Sequence, residues 1–220
     1  FYIAPPEFLR ALRALCDKHG IVLIIDEIQS GFGRTGRMFA VEYAGVEPDL
    51  MTVAKSIAGG VPLSGLTGKA EIMDAPPPGG LGGTYAGSPL GCAAALAVLE
   101  VMKSEQLLER SLRLGERLQA RLRTLQKRFP VIGEIRGLGS MVAMELVKNG
   151  KAEQPDAEVT RALVQTAARH GLVILSCGVY GNVIRFLAPL TTPEALLDEG
   201  LDKLEAALAE VTAAASQAAA

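Results

Sequence analysis

Apolar residues recur along this chain at two different periods, and the alternation between them outlines its elements. Across residues 7–19, Phe8, Leu12, Leu15 and His19 fall at 4-3-4 spacing, which predicts an amphipathic helix that Gly20 stops. Residues 21–25 form an unbroken apolar run rich in β-branched side chains and end in Asp26-Glu27. That pattern predicts a short strand buried on both faces, as in a parallel sheet. Residues 29–37, rich in Gly and Arg, read as loop. Residues 49–53 give a second short strand that ends just before Lys55, and residues 62–67 a third, weaker by pattern. PPPGGLGG, residues 76–83, is a turn-rich loop. A long helical region follows, broadly 89–129, with Leu118, Leu122, Leu125 and Phe129 again at 4-3-4 spacing before Pro130 and Gly133 close it.

The texture then changes. Residues 135–147 alternate loosely and predict one or two strands around Gly137 and Gly139, followed by a polar loop at 148–155. A helix is expected over 157–170, then strands over 172–176 and 182–187 joined through Gly178 and Gly181. Pro193 opens a last helix carrying Leu197, Leu201, Leu204, Leu208 and Val211 in 4-3-4-3 order, with an Ala-rich end expected to fray. The expected organisation is α/β over 1–88, a linking helical region over 89–130, and a small α+β unit over 131–220. No internal repeat is evident.

Composition narrows the class. With 220 residues, 49% hydrophobic and 21% charged, the chain can bury a real core and reads as an ordinary globular protein. A net charge of −2 with interspersed signs gives no basic stripe for nucleic acid and no basic face for a membrane surface. No apolar run has the length of a membrane span. Residues 1–7 contain no secretory n- or h-region, so the default expectation is a cytoplasmic protein. The opening Phe1-Tyr2-Ile3, without an initiator Met, reads as the interior of something longer. Cys16, Cys92 and Cys177 are scattered without metal-ligand spacing and set up no disulfide framework. His19 and His170 each precede a glycine at a helical end, where a cation and a Gly cap are both favourable, so no metal site is expected.

Two positions carry candidate chemistry. Ligands of open α/β sheets sit beyond the carboxyl ends of the strands, so Asp26 is placed to face one. Its plain alternative is a solvated strand end. IVLIIDE also looks like the acidic strand of a nucleotide hydrolase. That reading needs G-x-x-x-x-G-K-[ST], and around Gly68-Lys69 the first Gly is replaced by Leu63 and the Ser/Thr by Ala70. Lys55 follows the second strand and is succeeded by Ser56-Ile57-Ala58-Gly59-Gly60. A lysine there normally reaches for water. Beside two glycines that admit close approach, it can instead attack a carbonyl. If the two strands are parallel neighbours, they present an acid and an amine to one crevice.

The segments DEIQSGFGRTG, PDLMTVAKSIAGGVPLSG, GGLGGTYAGSPLGCAAALAVLE, RGLGSMVAMEL and LSCGVYGNVIRFLAPL resemble the class III aminotransferases, in order and with matching spacing, over essentially all of residues 1–210. GGLGGTYAG and LSCGVYGNVIR bring the resemblance nearest to the 4-aminobutyrate branch. The resemblance implies fold type I: residues 1–88 as the remaining part of a cofactor-binding large domain, a mostly parallel sheet with helices, and a small C-terminal α+β domain. It implies pyridoxal 5'-phosphate (PLP) as cofactor. Lys55 is then the residue that forms the Schiff base and afterwards serves as base and acid of the proton shift. Asp26 pairs with the pyridine nitrogen and keeps it protonated. Ile28 packs on the ring and Gln29 bonds its hydroxyl. Thr84 binds the cofactor phosphate of a neighbouring subunit, and Arg185 grips the α-carboxylate of glutamate or 2-oxoglutarate. Each has a plainer alternative: Gln29 and Thr84 as loop and turn residues, Arg185 as a surface residue of an alternating strand, Arg34 and Arg37 as loop or interface charges.

The implied activity is transfer of the amino group of an ω-amino acid, 4-aminobutyrate first, to 2-oxoglutarate, giving succinate semialdehyde and glutamate in a homodimer or higher homo-oligomer. Ornithine, acetylornithine, 5-aminovalerate and β-alanine are the alternative donors. A reading of another class, a non-catalytic remnant or interaction module, gives no reason to keep Lys55, Asp26, Gln29, Thr84 and Arg185 together. The family's N-terminal half has no match here, including the glycine-serine phosphate turn, the aromatic that stacks on the ring, a second arginine and a glutamate partner for Arg185. By the family's topology the retained strands would then have two raw edges. Residues 1–220 alone are therefore expected to be marginally stable or to self-associate. Light scattering and thermal unfolding test this, and a monomeric, cooperative melt would contradict it.

Overall fold

The computed structural model describes residues 1–218 and divides into two compact units, residues 4–109 and residues 110–220 together with 1–3. In the first, helix α1 (Pro6–His19) ends at Gly20, whose left-handed backbone (φ 63°) closes the last turn. Strands β1 (Ile24–Asp26) and β2 (Leu50–Val53) pair in parallel, Ile24 opposite Leu50 and Asp26 opposite Thr52. Strand β3 (Gly65–Gly68) returns antiparallel to β2. The connection over residues 54–64 holds one 3-10 turn (Lys55–Ala58), too little chain for the crossover that a parallel return requires. Short helix α2 (Ala70–Met73) and then helix α3 (Pro89–Ser104) follow.

Two expectations change here. The face of α1 that packs inward is Leu9, Leu12 and Cys16, clustered with Leu23, Val41, Ala44 and Val46, whereas Phe8 and Leu15 are 57% and 51% exposed. The helix carries apolar residues on two faces, and the 4-3-4 stripe straddles them: Leu12 packs inward, whereas Phe8 and Leu15 face outward. β1 is also not buried on both faces. Ile25 packs toward α1, but Ile24 on the other side is 56% exposed, as are the neighbouring Ile21 and Val22 at about half. Among the described residues nothing covers that face.

The helical region over 89–129 is two helices. Glu105 ends α3, Gln106 takes a left-handed backbone (φ 50°), and α4 runs Leu107–Arg128. In the second unit α4 packs with α5 (Ala157–Arg169) and α6 (Glu194–Ala218) on a four-stranded antiparallel sheet. Its strands are β4 (Ile132–Leu138), β5 (Met141–Leu146), β6 (Leu175–Cys177) and β7 (Val183–Phe186), in spatial order β4-β5-β7-β6. The 4-3-4 stripes do what their spacing predicts: Leu122 and Leu125 of α4 and Leu204 and Leu208 of α6 are buried against Val142, Met144 and Ile184 of the sheet. Where α4 crosses the β4–β5 turn, any side chain at Gly115 would collide with the Gly139 carbonyl, and the Ser111 hydroxyl accepts the Ser140 N–H at 3.1 Å. Outside, Arg117 and Arg121 of α4 pair with Asp198 and Asp202 of α6. α6 continues to Ala218 through much of the Ala-rich end expected to fray, and residues 219–220 lie outside the described ones.

His170 caps α5 and its Nε2 lies 3.0 Å from Glu210, whose carboxyl is held below its usual range by His170 and Arg169. Cys16, Cys92 and Cys177 are free thiols. Among the described residues no group of His, Cys, Asp or Glu could hold a metal ion, and no helix is long and apolar enough to cross a membrane.

Candidate active site

The first unit is tied together at Asp49, which immediately precedes β2. Its Oδ2 accepts the Leu23 N–H at 2.7 Å and Arg13 Nη1 at 2.8 Å, and its Oδ1 meets Lys69 Nζ at 2.7 Å. In return the Leu23 carbonyl accepts the N–H groups of Asp49 and Leu50. One carboxylate thus joins α1, the start of β1, the start of β2 and the end of β3. These contacts set the register that places Asp26 opposite Thr52. The Glu27 N–H donates to the Thr52 carbonyl at 2.9 Å and carries the ladder one residue further. Lys69, Leu23 and Arg13 together hold the Asp49 carboxyl far below the usual carboxylate range. Lys69 is therefore committed to Asp49 and Gly68 lies in β3, so neither belongs to a phosphate loop, and the nucleotide-hydrolase reading of IVLIIDE falls away.

That register brings the two central candidates to the carboxyl ends of adjacent parallel strands. Asp26 is exposed, and its Oδ1 accepts the Ile28 N–H at 2.9 Å, turning the chain sharply off the strand and leaving Oδ2 uncommitted. Lys55 follows β2 across Ala54 and opens the 3-10 turn with φ 49°. A left-handed backbone costs a residue with a Cβ roughly 1–2 kcal/mol, and such outliers gather at ligand sites. Lys55 is exposed, and among the described residues its amine has no hydrogen-bond or ion-pair partner. Helix α3 packs behind the turn, where a side chain at Gly59 would press on Val98.

Ile28 and Gln29 sit half-buried in the turn that follows β1. What fixes this turn is Glu27, which the sequence reading passed over. Only 1% exposed, it accepts the Val41 N–H at 2.8 Å through Oε1 and the Ser30 hydroxyl at 2.6 Å through Oε2. Gly31 packs so closely on the Glu27 carbonyl that a Cβ would approach it to 2.8 Å. Beyond it Phe32 meets Phe39 edge to face at 5.8 Å, and the Arg37 guanidinium lies 4.5 Å from the Tyr43 ring. Burial pushes the Arg34 guanidinium down from its usual value. Thr84 stands exposed in a turn ahead of α3.

Arg185 belongs to the other unit. It lies in β7 between Ala143 of β5 and Leu175 of β6, half-buried, and its Nε has no hydrogen-bond partner among the described residues. Lys55, Asp26, Ile28, Gln29 and Thr84 lie within the first unit, and Arg185 within the second.

The donor set at the β1 and β2 ends fits an aldehyde cofactor with a ring nitrogen. It offers an amine free of any carboxylate, on a strand end open to solvent, and a carboxylate with one oxygen to spare on the next strand. Comparison with known proteins points the same way. The family model Aminotransferase class-III matches residues 1–208. 5-Aminovalerate aminotransferase DavT of Pseudomonas putida is 59% identical over 211 residues, 96% of this chain and 49% of that protein. 4-Aminobutyrate aminotransferase GabT of Escherichia coli is 54% identical over 202 residues, 92% of this chain and 47% of that protein. The crystal structure of an amine transaminase from an uncultivated Pseudomonas species, in a PLP-bound form, superposes with a TM-score of 0.85 at 35% identity, covering 95% of this chain and 49% of that one. The chain thus spans about half the length of the curated relatives it matches.

The Asp49 contacts carry a pH dependence. An unfolded Asp titrates near ~3.9. Because the folded carboxyl is depressed, its contribution to stability is present above that value and lost as pH falls below it toward the folded pKa. Asp49→Asn is expected to lower the urea midpoint at neutral pH, and its deficit against wild type is expected to shrink below about pH 4. Urea unfolding across pH checks this.

Proposed function

The chain belongs to the class-III aminotransferases, and on that premise we propose that the whole protein moves the amino group of an unbranched ω-amino acid to 2-oxoglutarate. The observation that carries the reading is the unpartnered Lys55 amine, held in a left-handed backbone at the end of β2 while Asp26 ends the adjacent parallel strand. Lys55, Asp26, Ile28 and Gln29 would hold pyridoxal phosphate. When bound, it supplies an electron sink for negative charge developing on the amine-bearing carbon. Asp26 holds the proton on the ring nitrogen through the oxygen that Ile28 leaves uncommitted. Lys55 Nζ takes up a proton from the substrate carbon and gives it back. Gln29 would hydrogen-bond the ring hydroxyl, and Ile28 would pack against the ring.

Thr84 serves the phosphate site of a second subunit, so the reading includes a homodimer; its exposure in a turn ahead of α3 suits a role outside its own subunit. Arg185 binds the α-carboxylate of glutamate or 2-oxoglutarate, a task suited to a planar bidentate donor without an internal partner. 4-Aminobutyrate and 5-aminovalerate are the donors named by the relatives, and both offer a primary amine at the end of an unbranched carboxylate chain. The reading places the protein in the cytoplasm.

Lys55→Ala and Asp26→Asn in the full-length protein test it, with glutamate formation from 2-oxoglutarate and either donor as the readout. Asp26→Asn is expected to slow turnover by at least about 10²-fold and Lys55→Ala by more. Wild-type turnover in Lys55→Ala would overturn the reading.

A further inference from the structure

The sheet of the second unit presents two arginines on one face. Arg136 of β4 and Arg185 of β7 both pair with Ala143 of β5, one from each side, and so project to the same side of the sheet. Ala143, with its single methyl, leaves both side chains room. Glu145 lies two residues further along β5, on the same face, where it pairs with Glu134 of β4 and Val183 of β7. It is therefore the diagonal neighbour of both arginines, within reach of either long side chain.

Glu145 is bound to only one of them. Its Oε2 lies 2.6 Å from Arg136 Nη1, and its Oε1 accepts Asn182 Nδ2 at 3.3 Å. Asn182 is itself fixed, donating to the Leu146 carbonyl at 2.9 Å. Arg136 is held from three further directions: Glu134 at 2.6 Å, the Phe1 carbonyl, and the Tyr2 ring 4.8 Å from its guanidinium. The Arg136 and Glu145 side chains are 9% and 17% exposed, so this pair is little screened by solvent. Arg185 has no ion-pair partner among the described residues.

We propose that Arg136 is a positioning residue, which keeps Arg185 available to a substrate carboxylate by holding the Glu145 carboxylate through Oε2. The proposal rests on the reading of Arg185 as the carboxylate ligand. Without Arg136, the nearest cation to Glu145 on this face is Arg185. An internal carboxylate there competes with 2-oxoglutarate for the same guanidinium. The effect falls on binding of the dicarboxylate and not on proton transfer at Lys55.

The test uses the full-length protein with Arg136→Met, Arg136→Gln, Arg136→Met/Glu145→Gln and Arg185→Gln. Two replacements at position 136 guard against one that does not fold. With either, KM for 2-oxoglutarate is expected to rise about tenfold while kcat changes less than about twofold, the size of one charge-assisted contact. Adding Glu145→Gln removes the competitor and is expected to restore KM. A purely structural role for Arg136 predicts a loss of folded protein or of kcat, not a rise in KM alone. If Arg185→Gln raises KM but the Arg136 variants do not, or if the double variant stays as impaired as Arg136→Met, the proposal is overturned while the reading of Arg185 stands. If Arg185→Gln leaves KM unchanged, both fall together.

Discussion

Three donors from three parts of the chain converge on the Asp49 carboxylate, and the geometry of the candidate site follows from where they pull it. The Leu23 N–H brings the start of β1 to the start of β2, Arg13 brings α1, and Lys69 brings the end of β3. With Leu23 and Asp49 also exchanging backbone bonds, the parallel ladder has one register, Ile24 on Leu50. A slip of one residue would send Asp26 to the opposite face of the sheet. Asp26 and Lys55 stand at neighbouring strand ends because a buried aspartate far from either of them fixes the pairing. Glu27 does the corresponding work for the turn after β1, with both oxygens occupied by Val41 and Ser30.

Much of this was legible in the sequence and some was not, for physical reasons. The stripes of α4 and α6 were readable because those helices bury one face against a sheet, and 4-3-4 spacing reports that directly. The α1 stripe misled because Phe8 and Leu15 are apolar yet face outward, so periodicity alone did not separate the face that packs from the one that does not. Asp26 and Lys55 were visible as polar residues ending apolar runs. Asp49 and Glu27 were not, since a buried carboxylate with satisfied oxygens has the same letters as a solvated one. Asp49 opening an apolar run, with Arg13 and Lys69 at the borders of neighbouring elements, is the nearest thing to a signal. The break at Gln106 left no mark, because a left-handed backbone at a residue other than Gly or Asn is uncommon.

The two units use charge in different ways. In the first, Asp49 gathers cations so that a strand pairing is fixed, and the Lys55 amine is left without a counter-charge. In the second, Arg136 gathers Glu134 and Glu145, and Arg185 on the same sheet face is left without one. In each, ionic contacts made by neighbouring residues leave one charged group of the candidate site without a counter-charge. Sequence patterning places Lys55 just beyond a strand and Arg185 within one but says nothing about which neighbouring carboxylates are already occupied.

The central claim is that Lys55 is the amine that holds the cofactor. The most direct test is to treat the full-length protein with pyridoxal phosphate, reduce it with borohydride, and map the modified lysine by peptide mass spectrometry. The account predicts one stoichiometric adduct, on Lys55. Labelling scattered over surface lysines, or a single adduct on another lysine, would contradict it.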